Sequence, residues 1–195
     1  MIDSVLVKRN AIWRTALTVR TLLSAAIVAL AVILPQFVHL VAGPGGGVRF
    51  LPMYLPVLLG GCLLGPLWGL GVGVLSPLVS FLVTSAWGAP MPAAERLPFM
   101  MAELAVFACV TGLFSKKIAG NGLWAFPAVL SAAVAGRGLF LLSAALFSSF
   151  SSLSPAVVWG QIVAGLPALA VQAVAVPLVV MWLQARLLGE THDGR

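Results

Sequence analysis

Charge is scarce in this chain. Of 195 residues only 8% are Asp, Glu, Lys or Arg, and five are acidic. A water-facing domain of this size carries about a quarter charged residues, so this chain cannot coat a solvated surface. That excludes a cytosolic enzyme, a nucleic-acid binder and a disordered protein together. The formal charge of +6 would suggest nucleic acid in a soluble protein, but here the location of the charge matters more than its sum. Cysteine is nearly absent. Cys62 and Cys109 both lie in apolar runs, as small core residues do, which argues against a disulfide framework or a metal site. The only histidines are His39 and His192, the second in a polar tail. No GxxxxGK[ST] loop, HExxH or GxSxG is present, so the sequence shows no machinery for ATP hydrolysis, metalloproteolysis or serine hydrolysis.

What the chain has in quantity is apolar surface. Apolar residues make up 61% of it, and a membrane-crossing helix needs roughly 20 of them. That predicts an all-α integral membrane protein of six transmembrane helices, a single domain over 1–195. The spans are expected at about 21–41, 50–65, 67–87, 97–114, 123–147 and 155–188. The second is the weakest by pattern, being short and holding Pro52, Pro56, Gly60 and Gly61. The sixth is long enough to tilt or to emerge as an amphipathic turn. Lys8, Arg9, Arg14 and Arg20 ahead of an apolar stretch also suit a signal peptide, but that stretch is of spanning length and five further spans follow it.

The basic residues set sidedness. With the N terminus inside, Lys8, Arg9, Arg14, Arg20, Lys116, Lys117, Arg186 and Arg195 collect on the cytoplasmic side, and only Arg49 and Arg96 lie opposite. This is the positive-inside pattern, and it predicts that both termini are cytoplasmic. Trp13, Trp68, Trp124 and Trp182 fall near inner ends of spans and Trp87 and Trp159 near outer ends, as aromatic belts would.

Small residues recur where helices should meet. Gly61, Gly65, Gly69 and Gly73 repeat every four residues, and Ala128, Ala132 and Gly136 do so in the fifth span. Internal packing explains the glycine row; the alanine row suits packing or docking of a second membrane protein. Ala25 and Ala29 form a shorter version in the first span.

Glu103 and Arg137 are the ionisable groups deep inside spans, each costing about 2.5–3.5 kcal/mol at mid-bilayer on insertion scales. At a rise of about 1.5 Å per residue they share, with Gln161, a layer roughly 10–15 Å below the outer surface. Two readings stand. One is an interhelical clasp, a Glu–Arg pair whose hydrogen bonds Gln161 completes. The other is a substrate pocket opening outward. Tyr54, Trp87 and Trp159, near outer helix ends, are candidates to stack on a flat ligand or gate it. The outward loops 43–49, rich in glycine and proline, and 88–96 suit either a lid or plain connectors, and the serine-rich loop 148–154 offers hydroxyls. Arg137 would suit a carboxylate and Glu103 a cationic or hydrogen-donating ring; if they neutralise each other, a neutral ligand is favoured.

The segment Leu51-Pro52-Met53-Tyr54-Leu55-Pro56 leads into Leu64-Gly65-Pro66-Leu67-Trp68-Gly69, followed by Ser76-Pro77-Leu78, Met91-Pro92, Met101-Ala102-Glu103-Leu104-Ala105 and Thr111-Gly112-Leu113. This order resembles the substrate-binding S components of energy-coupling factor (ECF) transporters, with the motifs concentrated in 51–115 and the architecture covering about 20–188. The resemblance implies six helices with cytoplasmic ends in a prokaryotic cytoplasmic membrane. It also implies a vitamin-like ligand bound near the outer face, under outer loops. Ala25-xxx-Ala29 looks like the motif that docks such a subunit onto a membrane scaffold (T) subunit. Two cytoplasmic ATPase partners would use the ATP, this chain itself binding no cofactor or metal and catalysing nothing. Position 54 departs from the resemblance, which leads one to expect histidine there. An alternative is a self-sufficient secondary carrier or channel that uses Glu103 in coupling, although no half-to-half repeat supports it. An intramembrane enzyme lacks a nucleophile–base set.

Overall fold

The computed structural model describes residues 2–43, 45–147 and 154–193, with side chains over 17–43, 45–147 and 154–186. The side chains of Lys8, Arg9, Trp13, Arg14, His192 and Arg195, and the loop 148–154 except Ser154, lie outside the described residues. Among the described residues eight α-helices follow one another: α1 (Ile2–Ala42), α2 (Gly46–Phe50), α3 (Tyr54–Leu64), α4 (Pro66–Ser85), α5 (Leu97–Leu113), α6 (Ser115–Gly120), α7 (Ala125–Leu146) and α8 (Pro155–Asp193). Six stretches of the described residues are long and apolar enough to cross a membrane: Leu17–Ala42, Gly46–Leu64, Pro66–Ser85, Ala94–Leu113, Gly122–Leu146 and Pro155–Arg186. The fold is therefore an all-α membrane bundle, because in lipid the backbone must satisfy its own hydrogen bonds within each span. Its perimeter carries exposed Leu22, Phe37, Leu67, Val134 and Trp182, a surface suited to acyl chains rather than water.

The second span is a broken helix, and its first part begins four residues before the sequence pattern placed it. Between α2 and α3 the chain unwinds at Leu51-Pro52-Met53, where Leu51 takes a left-handed φ of 47°. Proline at 52 has no N–H to continue the ladder. The loosened carbonyl of Leu51 accepts from Tyr54 N (3.1 Å) and from Gln172 Nε2 on α8 (2.9 Å). Irregular backbone at this depth is tolerated where neighbouring protein re-satisfies it. Gln172→Leu is therefore expected to cost about 0.6–1.7 kcal/mol, the range for polar contacts between membrane helices. Amide exchange across 46–53 should rise with it; unchanged exchange would show that Gln172 does not hold the break.

The bundle centres on α5, which packs on α3, α4 and α7, while α1 lies at the edge against α3 and α4. Close approach explains the small-residue rows. A Cβ on Gly73 would meet the Leu104 carbonyl oxygen of α5 at 2.5 Å, and one on Gly69 would sit 3.0 Å from the Ala108 oxygen. A Cβ on Gly61 would overlap Thr111 Oγ1 and the Ala108 oxygen. Gly65, at φ 86°, makes the tight turn from α3 to α4. Ala128 and Ala132 are fully buried and Gly136 packs under the Phe107 ring, so the alanine row serves internal packing. Ala25 and Ala29 differ: both are exposed, on the wall of an apolar groove between α1 and α4 that also includes Trp68, Gly71 and Leu75.

Candidate functional site

Successive spans alternate in direction, so the ends of α1, α4 and α7 meet the starts of α2, α5 and α8 at one end of the bundle. There a cavity of about 290 Å³ lies among them. Each element contributes by helical spacing. On α5, Met100 and Glu103 line it, with Arg96 one turn before them; on α7, Arg137 and Phe140 are three apart; on α1, Pro35 and His39 are four apart. Residues at these spacings share a helix face. The break after α2 presents Leu51, Pro52 and Met53 and brings Tyr54 in at the start of α3.

The loop after α4 closes part of this end. Ser80 Oγ donates to the Met91 carbonyl (2.8 Å), and Met91 N donates to Thr84 Oγ1 (2.7 Å). Ser80 and Thr84 lie one turn apart on α4, so their hydroxyls fasten the segment that puts Met91 and Pro92 on the cavity wall.

At the base lies a charged cluster. Arg137 Nη1 stands 2.9 Å from Glu103 Oε1, an ion pair between residues 8% and 1% exposed. The contact is electrostatic rather than an aligned hydrogen bond, and Oε1 has no hydrogen-bond partner among the described residues. The other carboxylate oxygen accepts from Tyr54 Oη at 2.5 Å. The Arg137 guanidinium lies over the Tyr54 ring at 4.8 Å, and that ring meets Phe107 edge-on at 5.1 Å and 82°. Two buried charges in lipid need this sort of enclosure, since an unpaired one would cost several kcal/mol. Arg137 Nε and Nη2 are buried and make no hydrogen bond among the described residues.

The structure thus brings Tyr54, Glu103, Arg137 and Gln161 to one cavity. It assigns the clasp differently from expectation, because Tyr54 rather than Gln161 completes the carboxylate's contacts. Tyr54 enters from the helix break, a placement that its sequence neighbours do not disclose. Trp87 and Trp159 are away from the cavity, 73% and 58% exposed. Trp159 precedes Gln161 by two residues, about 200° around a helix, so the two cannot face the same way. Trp87 follows the end of α4 in the turn leading to Gly88. Sequence reasoning missed His39, Arg96, Met100 and Phe140 as lining residues. The spacing of Arg96, Met100 and Glu103 on one face was the available signal.

A family model described as "ECF transporter, substrate-specific component" matches residues 17–180. No curated protein and no solved structure gives a significant match. The family match takes in five spans whole, most of the sixth and every residue around the cavity, over a bundle of the expected all-α membrane architecture. The chain belongs to the substrate-specific components of ECF transporters.

Proposed function

We propose that this subunit captures a vitamin or related small molecule from outside the cell with high affinity and hands it to partner subunits for ATP-driven uptake, without chemistry on the substrate. One observation carries the reading: Glu103, Arg137, Gln161 and Tyr54, drawn from four spans, converge on a single cavity at one end of the bundle. Arg49 and Arg96 belong to that end, whereas Arg20, Lys116, Lys117 and Arg186 belong to the other. By the positive-inside rule the cavity faces outward and both termini are cytoplasmic. At about 290 Å³ it is at the lower limit of small-molecule pockets, which favours a compact substrate over a dinucleotide-sized one.

In this reading the partners are a membrane scaffold subunit and two cytoplasmic ATPases, in a prokaryotic cytoplasmic membrane, and ATP is bound there rather than here. The exposed Ala25 and Ala29, beside an apolar groove, form the docking face: small side chains let another helix approach closely where lipid would otherwise lie.

Reconstitution in liposomes tests the proposal. The lone chain is expected to bind small molecules from the outer solution but to accumulate none, with uptake appearing only when scaffold and ATPase subunits and internal ATP are present. Ala29→Trp should reduce that uptake at least tenfold while binding by the isolated subunit stays unchanged. Uptake by the lone chain would instead establish the secondary-carrier alternative, with Glu103 as the coupling residue.

A further inference from the structure

We infer, on the reading that this cavity holds the substrate, that the substrate is a compact organic monoanion and that its charged group seats on Arg96 at the cavity mouth. Charge is unevenly matched around the cavity. Of its lining residues, three are of the Asp, Glu, Lys and Arg types: Arg96, Glu103 and Arg137. Glu103 and Arg137 stand 2.9 Å apart and neutralise each other, and Tyr54 holds the second carboxylate oxygen. Arg96 is left over. Its side chain is half-buried and makes no hydrogen bond, ion pair or ring contact among the described residues. The chain holds no other acid to answer it inside the cavity. Of the five acidic residues, Asp3 begins α1 and Glu190 and Asp193 end α8, at the other end of the bundle. Glu95 is exposed and does not line the cavity.

Depth gives the substrate its orientation. Arg96 precedes Glu103 by seven residues, two turns of helix, so the two lie on one face about 10 Å apart along the axis of α5. Met100 sits between them on the same wall. Because α5 starts at this end of the bundle, Arg96 marks the mouth and Glu103 the floor. Met53, Met100, Phe140 and Pro92 make the walls between them apolar. A molecule that fills this space displaces water from around Arg96. A neutral or cationic one would leave the guanidinium without an acceptor, whereas an anionic group makes charge-assisted hydrogen bonds to it. A second anionic group would have to lie against apolar walls or an already neutral floor, which sets the charge at one. The uncharged body therefore runs inward past Met100, and the anion stays at the mouth. Arg49 belongs to the same end of the bundle but is exposed and does not line the cavity. It shares the field of the outer face without sharing the site.

The test uses the full chain in lipid nanodiscs, dialysed to equilibrium against the small-molecule fraction of yeast extract, with enriched species identified by mass spectrometry. A second arm uses the same extract after an anion-exchange resin has removed its organic anions. Arg96→Gln and Arg49→Gln each remove one positive charge from the same end of the bundle; matching melting temperatures confirm that both fold. The enriched species is expected to carry one acidic group and to be missing after anion depletion. Its enrichment should fall at least tenfold on Arg96→Gln and change less than twofold on Arg49→Gln. Enrichment of a neutral or cationic species overturns the inference while leaving the cavity as a substrate site. So does enrichment that Arg96→Gln leaves intact, the result expected if Arg96 only meets lipid headgroups. An equal loss on Arg49→Gln also overturns it, by placing the effect in the field of the outer face. Enrichment of nothing by the wild-type chain overturns the substrate-site reading and the inference with it.

Discussion

Arg137→Met is expected to destabilise the protein by about 3–5 kcal/mol, and Glu103→Gln added to it is expected to recover most of that loss without recovering binding. The reason lies in what each change leaves behind. Removing the arginine alone strands a carboxylate that is 1% exposed, with only the Tyr54 hydroxyl to meet it. Breaking a buried pair from one side carries that penalty, whereas replacing both partners by neutral groups of similar volume is often close to neutral. Denaturant unfolding in detergent micelles gives the stability, and equilibrium dialysis gives the binding. The double variant separates the two meanings of the cluster. If it regains stability and also binds as wild type, the pair is a clasp and nothing more. If it regains stability and binds nothing, the pair contributes to the substrate site as well as to the framework. A double variant as unstable as the single one would contradict the idea that the two charges mainly serve each other in the framework.

Gly73→Ala should cost about 3 kcal/mol, the upper end of overpacking penalties, while Gly71→Ala two residues away should change stability by less than about 0.5 kcal/mol. The two glycines sit on different sides of α4. A Cβ on Gly73 would meet the backbone of α5 at Leu104 O (2.5 Å), Leu104 C (2.7 Å) and Ala105 Cα (2.8 Å), none of which can rotate away. The two helices must part to admit it, and they form the broadest contact in the bundle. A Cβ on Gly71 would meet no described atom within 4 Å beyond its own stretch of helix. The comparison controls for helix propensity, since both changes add the same methyl to the same helix. Equal effects at the two positions would mean that α4 and α5 do not approach as closely as the structure has them.

How much of this was legible in the sequence differs by residue. The layer shared by Glu103, Arg137 and Gln161 followed from counting residues inward, because a helix of known rise converts sequence position into depth. Depth is not azimuth, however. Trp159 lies at nearly the depth of Gln161 yet points away from the cavity, and the same periodicity that revealed the layer could have excluded it. Tyr54 was marked as a candidate, but as a stacking platform. Its actual position, with its hydroxyl on Glu103 and its ring against Arg137, depends on the helix break at Leu51 and on which faces α3, α5 and α7 turn to one another. The contact between Gln172 and the Leu51 carbonyl joins residues 121 apart, and no local pattern announces it.

By itself the sequence determined the solvent this protein folds in, the number of its spans, the positive-inside asymmetry of its basic residues and the depth of its few polar groups. Each of these is a one-dimensional property: apolar length must match the bilayer, and charge must avoid its core. Only the tertiary structure decided which faces meet. It put Gly73 against the backbone of α5, left Ala25 and Ala29 exposed, and set Arg137 against Glu103 and the Tyr54 ring. Lipid explains the division. Apolar side chains gain little by leaving acyl chains for one another, so hydrophobicity does not choose the rotation of each helix. Close packing of glycines and pairing of buried polar groups choose it, and those depend on residues far apart in the chain.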